Sequence, residues 1–199
     1  MFETGLLLAG DVDPAGVRRQ LSRFTASGRL LQLRRGLYAL APPYQKAMPH
    51  PFMVANRMVR ASYVSLQSAL AHYALIPEHV PVVTSVTTSR PGRWNTGLGA
   101  FAYRHIKLDL FFGYRMTDLA GGQTALVAKP EKALLDLLYL QPGSDHPAYL
   151  RELRLENLEL LDLVELKRLA EASGRPKLNR AAKTVGEMSH AAAEEYETL

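Results

Sequence analysis

The chain has 199 residues and a net charge of +5, a length that suits one domain, or a small domain followed by a medium one. Its hydrophobic fraction of 47% and charged fraction of 22% are those of a globular protein and argue against extensive disorder. The absence of cysteine excludes disulfides and thiolate metal sites and favours the cytoplasm, and we expect neither a signal peptide nor a membrane-spanning segment.

The N-terminal part of the chain predicts two helices followed by a β-hairpin. The predicted elements are a short helix over 2–9, a turn over 10–13, a helix from 14 up to the glycine at 28, and strands over 29–33 and 37–40. Asp13 is a good N-cap residue and Pro14 a good first helical residue, while Gly28 suits the left-handed position that ends a helix. Gly36 tolerates the positive φ of the turn between the two strands.

The second of these helices combines an apolar face with a basic face. At about 100° per residue, Val17, Leu21 and Phe24 lie on one side, and arginine and serine side chains lie on the opposite side. Residues 1–60 carry nine Lys and Arg against three acidic residues, a charge of +6, which leaves −1 for the rest of the chain. A basic segment attached to a nearly neutral one is typical of a nucleic-acid binder with a separate second function.

We therefore predict that this part of the chain binds DNA as a winged helix-turn-helix. The predicted DNA-binding residues are Arg18, Arg19, Ser22, Arg23, Arg29, Arg34 and Arg35. Arg18, Arg19 and Ser22 are expected to face bases, because arginine can bind guanine through two hydrogen bonds. Arg34 and Arg35 are expected to contact the DNA backbone from the tip of the hairpin. The alternative is an amphipathic helix with a solvated basic face, followed by an ordinary hairpin.

A proline-rich linker divides the chain, with Pro42, Pro43, Pro49 and Pro51, and we place a domain boundary there. We call residues 1–46 the head and residues 47–199 the body. The helices predicted for the body cover 52–58, 62–73 and 130–140, and 150–172 as one helix or two. The predicted strands cover 82–88, 101–106, 108–116 and 124–128, with a loop over 90–99 and a last helix or frayed end from Pro176. The predicted fold class is α+β, a winged helix-turn-helix followed by a mixed domain with an antiparallel sheet flanked by helices.

Several segments between residues 1 and 140 resemble those of one known family. In the head they are Val17-Arg18-Arg19-Gln20-Leu21-Ser22-Arg23, Gly28-Arg29-Leu30 and Arg34-Arg35-Gly36-Leu37-Tyr38. In the body they are Ser62-Tyr63-Val64-Ser65-Leu66-Gln67-Ser68-Ala69-Leu70, Tyr73-Ala74-Leu75-Ile76-Pro77 and Val127-Ala128-Lys129-Pro130-Glu131-Lys132-Ala133-Leu134-Leu135-Asp136. With these segments the chain resembles the AbiEi family, the antitoxin and transcriptional-repressor half of type IV (AbiE-type) toxin–antitoxin systems.

The resemblance implies an antitoxin that represses its own operon, in a class of systems linked to phage defence. It implies a winged helix that binds inverted repeats in operator DNA, and a C-terminal domain that counteracts a nucleotidyltransferase-like toxin encoded next door. Direct contact between antitoxin and toxin is not required by the sequence, and the role of residues 141–199 is open. A plain transcriptional regulator without a toxin partner is one alternative.

The main alternative from another class is a metal-dependent nucleic-acid-processing enzyme with a winged-helix targeting head. Its candidate residues are Asp109, Glu131 and Lys132, because such nucleases gather carboxylates around Mg²⁺ with a lysine nearby. Glu131 and Lys132 are adjacent at a helix start and point in different directions, and Asp136 among leucines suits a buried, paired carboxylate. The six histidines lack i, i+4 spacing, so no zinc site is expected. We predict no catalytic residue, no metal and no cofactor.

The predicted loop over 90–99 carries Arg90, Arg93 and the single tryptophan, Trp94. Tryptophan and arginine are enriched at interaction hot spots, so this loop is a candidate contact for RNA or for the toxin. A surface loop with Trp94 tucked into the body explains the same residues equally well.

Overall fold

The structure, a computed structural model, describes residues 1–197 and the side chains up to residue 191. It confirms the predicted α+β class, with a three-stranded sheet in the head and a six-stranded sheet in the body. Within the described residues, no helix is both long enough and apolar enough to cross a membrane.

The head consists of a small antiparallel sheet and one long helix. Its elements are β1 (Phe2–Glu3), α1 (Thr4–Leu7), α2 (Pro14–Ala26), β2 (Leu30–Arg34) and β3 (Leu37–Leu40). β3 lies in the middle of the sheet, between β1 and β2. The helix predicted over 2–9 is wrong in its first part, because Phe2 and Glu3 pair with Tyr38 and Leu37 of β3. Within residues 1–46, all of which the structure describes, α2 is the one helix of more than a single turn.

The body is built on a mixed sheet. Its strands are β4 (Ser62–Val64), β5 (Val82–Thr87), β6 (Gly92–Thr96), β7 (Gly99–His105), β8 (Tyr114–Leu119) and β9 (Gln123–Ala128), in the spatial order β6-β7-β5-β4-β9-β8. The β5–β7 and β4–β9 pairs are parallel and the other pairs are antiparallel. The prediction of an antiparallel sheet is therefore only partly correct. β6 folds back as an outer strand, and β7 therefore returns parallel to β5.

Helices cover this sheet and bury a continuous core. They are α3 (Pro51–Met58), α4 (Leu66–His72), α5 (Pro130–Leu140), α6 (Pro147–Glu152), α7 (Leu163–Ala172) and α8 (Pro176–Glu197). The predicted helix over 130–140 is confirmed as α5, on which α4, α7 and α8 pack. The side chains of Leu134 and Leu138 are completely buried, so α5 forms the centre of the body's hydrophobic core.

The head packs directly against the body. Leu33, Leu37 and Ala39 of the head belong to the same hydrophobic cluster as the buried residues of the body. At the tip of the β6–β7 hairpin, a Cβ atom at Gly97 would lie 2.9 Å from Cδ2 of Leu31. A larger residue here would displace the side chain of Leu31, so β2 and β6 pack closely at this position.

Two of the body elements that differ from prediction are decided by tertiary pairing and by a left-handed backbone conformation. The helix predicted over 62–73 begins only at Leu66, where φ is +58°, and the residues 62–64 form the central strand β4. All three residues of β4 are buried, and a short buried run fits a helix or a central strand equally well. The strand predicted over 108–116 starts only at Tyr114, after a one-turn 3₁₀ helix and after Gly113 with φ of +73°.

Candidate nucleic-acid interface

Both ends of α2 are fixed by local hydrogen bonds. The Asp13 carboxylate accepts from the backbone N–H groups two and three residues further on, at 2.9 and 2.8 Å. At the other end Gly28 has φ of +71°, and the N–H of Arg29 donates to the carbonyl of Phe24 at 2.9 Å. This is a Schellman cap, which satisfies carbonyl groups that the helix leaves unpaired. Both predicted caps are confirmed, and they set the positions of the helical arginines.

One side of α2 packs on the head's sheet and the other side is open. Leu21 is buried, Val17 and Phe24 are half-buried, and α2 contacts β2. The opposite side presents four exposed residues: Arg18, Arg19, Ser22 and Arg23. The predicted division into an apolar and a basic face is confirmed. A helix with this division can keep its fold contacts while it offers its polar side chains to a partner.

Few acidic groups neutralise this basic face. In the described part of the chain, Arg19 pairs with Asp13 at 3.6 Å, and both side chains are largely exposed. Arg29 lies over an aromatic ring of α2, with Cζ 5.6 Å from the ring centroid. Arg18 and Arg23 have no carboxylate partner among the described residues. An exposed pair contributes about 1 kcal/mol or less, so Arg19 can exchange Asp13 for a phosphate at little cost.

The hairpin after α2 exposes Arg35 at its tip. Gly36, the next residue, has φ of +81°, a conformation that favours glycine. The carbonyl of Gly36 accepts a hydrogen bond from the N–H of Thr4 at 2.9 Å, which ties the tip to the start of α1. Arg35 is exposed on a turn whose backbone is held in place, so its side chain is available to a partner.

Arg34 is in a different environment from its neighbour. It pairs with Leu37 of β3, and Glu3 of β1 pairs with the same Leu37 from the other side. β2 has a bulge between Gln32 and Arg34, so the regular alternation of side chains is interrupted there. The charge of Arg34 acts on the pKa of Tyr103 in the body, so this side chain lies near the face of the sheet that packs on the body. Arg34 is accordingly half-buried, and its Nε is buried without a hydrogen-bond partner in the described structure. Of the two arginines predicted at the tip, only Arg35 is exposed.

The sequence did not indicate an ion pair that joins the head to the body. The guanidinium of Arg60, just after α3, donates to both carboxylate oxygens of Glu3 at 2.8 Å. This hydrogen bond and the charge of Arg60, together with the charges of Arg34 and Arg57, hold the pKa of Glu3 below its usual value. The two partners are 57 residues apart, and no local spacing connects them.

The prediction of a loop over 90–99 is wrong. This segment forms the hairpin of β6 and β7. β6 pairs with β7 residue by residue, with Trp94 opposite Phe101 and Arg93 opposite Ala102. Trp94 is half-buried against the core, edge-on to Tyr103 with ring centroids 5.3 Å apart. Because successive residues of a strand point to opposite faces, Arg93 lies on the other face from Trp94, and it is exposed, as is Arg90. Trp94 is therefore tucked into the body.

The most polar part of the core is built around Asp136 of α5. Its carboxylate pairs with the ammonium of Lys132 one turn earlier and accepts hydrogen bonds from the hydroxyls of Tyr63 and Ser65 at 2.9 and 2.8 Å. Lys132 and Asp136 are both almost fully buried, as predicted for Asp136. Burial raises the pKa of the Asp136 carboxyl, while Lys132 and the two hydroxyls act in the opposite direction. This closed network leaves Asp136 no room for a ligand.

The other candidate nuclease residues are also engaged within the fold. Glu131 is buried and accepts a hydrogen bond from the N–H of Asp162 at 2.9 Å, at the start of α7. Asp109 pairs with Arg175 at 3.1 Å on the surface. The structure thus does not bring Asp109, Glu131 and Lys132 together as a metal site, and among the described residues no three His, Asp or Glu side chains gather as one.

A wide open groove of about 640 Å³ lies beside the start of α3, lined by His50 and His72 among others. His50 caps α3, because its Nδ1 accepts from the N–H of Phe52 at 3.1 Å. The Phe52 ring lies edge-on between the two histidine rings, at 5.2 and 5.5 Å. Burial, and next the charge of His72, lower the pKa of His50, so the neutral form is favoured.

Comparison with known proteins locates a family relationship in the head. Residues 3–41 match the model of a family described as "Transcriptional regulator, AbiEi antitoxin". No curated protein matches the chain. The matched segment begins in β1, contains α2 and ends just after β3, and so includes every predicted DNA-binding residue. The head is thus similar in sequence to the AbiEi antitoxin transcriptional regulators, and the predicted resemblance is confirmed over this segment.

Proposed function

We propose that this protein is a DNA-binding antitoxin that represses its own operon, with the head on the operator. The proposal rests on one observation. The segment similar to AbiEi regulators contains α2, whose open side presents exposed arginines. Exposed positive charge with few carboxylates nearby attracts the phosphate backbone of DNA and releases its counterions.

In this proposal α1, the turn and α2 act as a compact helix-turn-helix, and the β2–β3 hairpin acts as its wing. The open side of α2 enters the major groove, where Arg18, Arg19 and Ser22 face bases. Arg23 and Arg35 contact the backbone on either side. Their exposure and the fixed backbone of the helix and of the hairpin turn support these roles.

We also propose that the body is a separate domain with a second role, which is to act against a toxin. It counteracts a nucleotidyltransferase-like toxin encoded next to this protein, with or without a stable complex. The exposed Arg90 and Arg93 at the β6 edge are candidate contacts for that toxin. Co-expression with the neighbouring reading frame tests this part: restored growth supports it, and growth arrest that this protein leaves unchanged contradicts it.

The first experiment is a gel-shift titration of the full-length protein on its own upstream DNA. Unrelated duplex serves as competitor, and the titration is repeated at two salt concentrations and without divalent metal. We expect tight binding that resists the competitor and leaves the DNA intact. Binding that ignores sequence and disappears with salt, or cleavage of the DNA once Mg²⁺ is added, would contradict the proposal.

A further inference from the structure

Three arginines surround a single carboxylate where the head meets the body. Glu3 of β1 meets Arg60 of the body, and Arg34, which follows a bulge in β2, lies near enough for its charge to lower the pKa of Glu3. Neighbouring strands are about 4.8 Å apart, so the two backbones lie roughly 10 Å from each other across β3. Two arginines of the body lie here as well: Arg57, in the last turn of α3, and Arg60, which donates two hydrogen bonds to Glu3. We call these four residues the junction cluster.

The junction cluster carries more positive charge than its own carboxylate can neutralise. Arg57 is exposed and, like Arg34, forms no ion pair with a described carboxylate. Arg34 also has its buried Nε without an acceptor. With three arginines and one glutamate, the junction cluster has a net charge of +2.

The ion pair within the cluster is suited to exchange. The side chain of Arg60 is 78% exposed and that of Glu3 38% exposed, so water and salt screen their attraction. A phosphate diester offers the same two-oxygen face to a guanidinium as a carboxylate does. The Glu3 carboxylate can therefore be replaced by a backbone phosphate without leaving a buried charge unpaired.

We infer that the junction cluster is a second DNA-backbone contact, in which a phosphate of duplex DNA takes the place of Glu3 against Arg57 and Arg60. This inference rests on the proposed function, because the head must first place the duplex. It adds a part of the body to the DNA-binding surface and gives Glu3 the role of an internal counter-ion that competes with DNA.

The test measures the affinity of full-length variants for a labelled duplex of the upstream DNA by fluorescence anisotropy, over a salt series. The variants are Glu3→Gln, Arg57→Ala and Arg60→Ala. The matched control is Arg151→Ala, since Arg151 is an exposed arginine of α6 without a described carboxylate partner. Thermal unfolding of each variant, followed by the fluorescence of Trp94, reports whether the head still packs on the body.

We expect opposite signs from the two partners of the ion pair. Glu3→Gln should bind DNA several-fold more tightly (about 3- to 10-fold at low salt), because the phosphate no longer competes with a carboxylate. Arg60→Ala and Arg57→Ala should each bind more weakly and lower the slope of log K against log salt by about 1. Arg151→Ala should bind like the wild type.

A purely structural ion pair gives a different pattern. Glu3→Gln and Arg60→Ala would then change affinity in the same direction, or Arg57→Ala would match the control, and either result overturns the inference. Wild-type protein that fails to bind its upstream duplex would overturn the proposed function together with this inference. Wild-type binding with unaffected junction variants would overturn the inference alone.

Discussion

Arg18, Arg23 and Arg35 of the head are exposed and lack a carboxylate partner among the described residues, whereas Lys132 and Asp136 of the body are buried and paired. The first arrangement costs the fold little, because water solvates the guanidinium groups, and it keeps them available to an anion. The second arrangement is expensive unless every charge finds its partner, and it keeps the charges away from any ligand. Accessibility, rather than the presence of charge, therefore distinguishes the candidate binding residues from the structural ones.

The sharpest way to test this contrast is to remove one charge of the buried pair. Asp136→Ala leaves the ammonium of Lys132 in the core without its carboxylate, and it removes the acceptor of the Tyr63 and Ser65 hydroxyls. We expect the free energy of unfolding to fall by about 3–5 kcal/mol. Urea denaturation followed by Trp94 fluorescence measures the loss.

The double variant Lys132→Met with Asp136→Leu is the control for this prediction. It removes both charges and keeps apolar volume in the core, so it should regain part of the stability that the single variant loses. A double variant that is less stable than Asp136→Ala would contradict the reading of this pair as a structural one.

The next effect concerns the exposed side of α2. Arg18→Ala should leave the unfolding temperature unchanged but lower the preference for the protein's own upstream DNA over unrelated duplex by about 1–3 kcal/mol, because a base contact is lost. Competition gel shifts measure the preference, with Arg151→Ala as the matched surface control. An unchanged preference with weaker binding overall would show that Arg18 contacts the backbone instead.

A smaller and less selective effect is expected at the hairpin tip. Arg35→Ala should weaken binding to every duplex by about eightfold near 0.1 M salt, with a salt slope lower by about 0.9, because a single phosphate contact is removed. The loss should shrink as salt approaches about 1 M. A loss confined to the upstream sequence would contradict a backbone role for Arg35.

The features that sequence reasoning found are those with local causes. Asp13 and Gly28 bracket α2 through contacts with residues a few positions away, and the spacing of Val17, Leu21 and Phe24 sets its buried side. These signals lie within one helix, so they can be read without knowing the rest of the fold.

The features that sequence reasoning missed depend on distant partners. β4 is a strand because β5 and β9 pair with it on either side. The residues 62–64 themselves do not indicate that these strands will pair with them. The segment over 90–99 is a hairpin because β7 continues into the sheet, although its glycines are typical of a loop. The contact of Glu3 with Arg60 likewise exists only once the head is packed on the body.

The environment of His50 is intermediate between that of the exposed head arginines and that of the buried pair in the body. His50 is half-buried, and it can be neutral or charged near physiological pH. Its neutral Nδ1 caps α3, and its pKa is lowered in the folded protein by burial and by His72. The unfolded chain therefore binds a proton first when the pH falls below about 6.5. Stability from this group is fully present above that pH and is lost as the pH falls towards the lower pKa of the folded state.

The variant His50→Asn isolates this contribution, since asparagine keeps an acceptor at the N-cap but does not titrate. The wild type should lose about 1 kcal/mol or less of stability through this cap as the pH falls from about 7.5 to about 5.5, and the variant should lose less. His146→Asn is the matched control, because His146 caps α6 through the same Nδ1 contact but is exposed. Thermal unfolding across this pH range measures all three proteins. If the wild type and His50→Asn show the same pH dependence, the partial burial of His50 has no energetic consequence, and this histidine behaves like the exposed charges of the head.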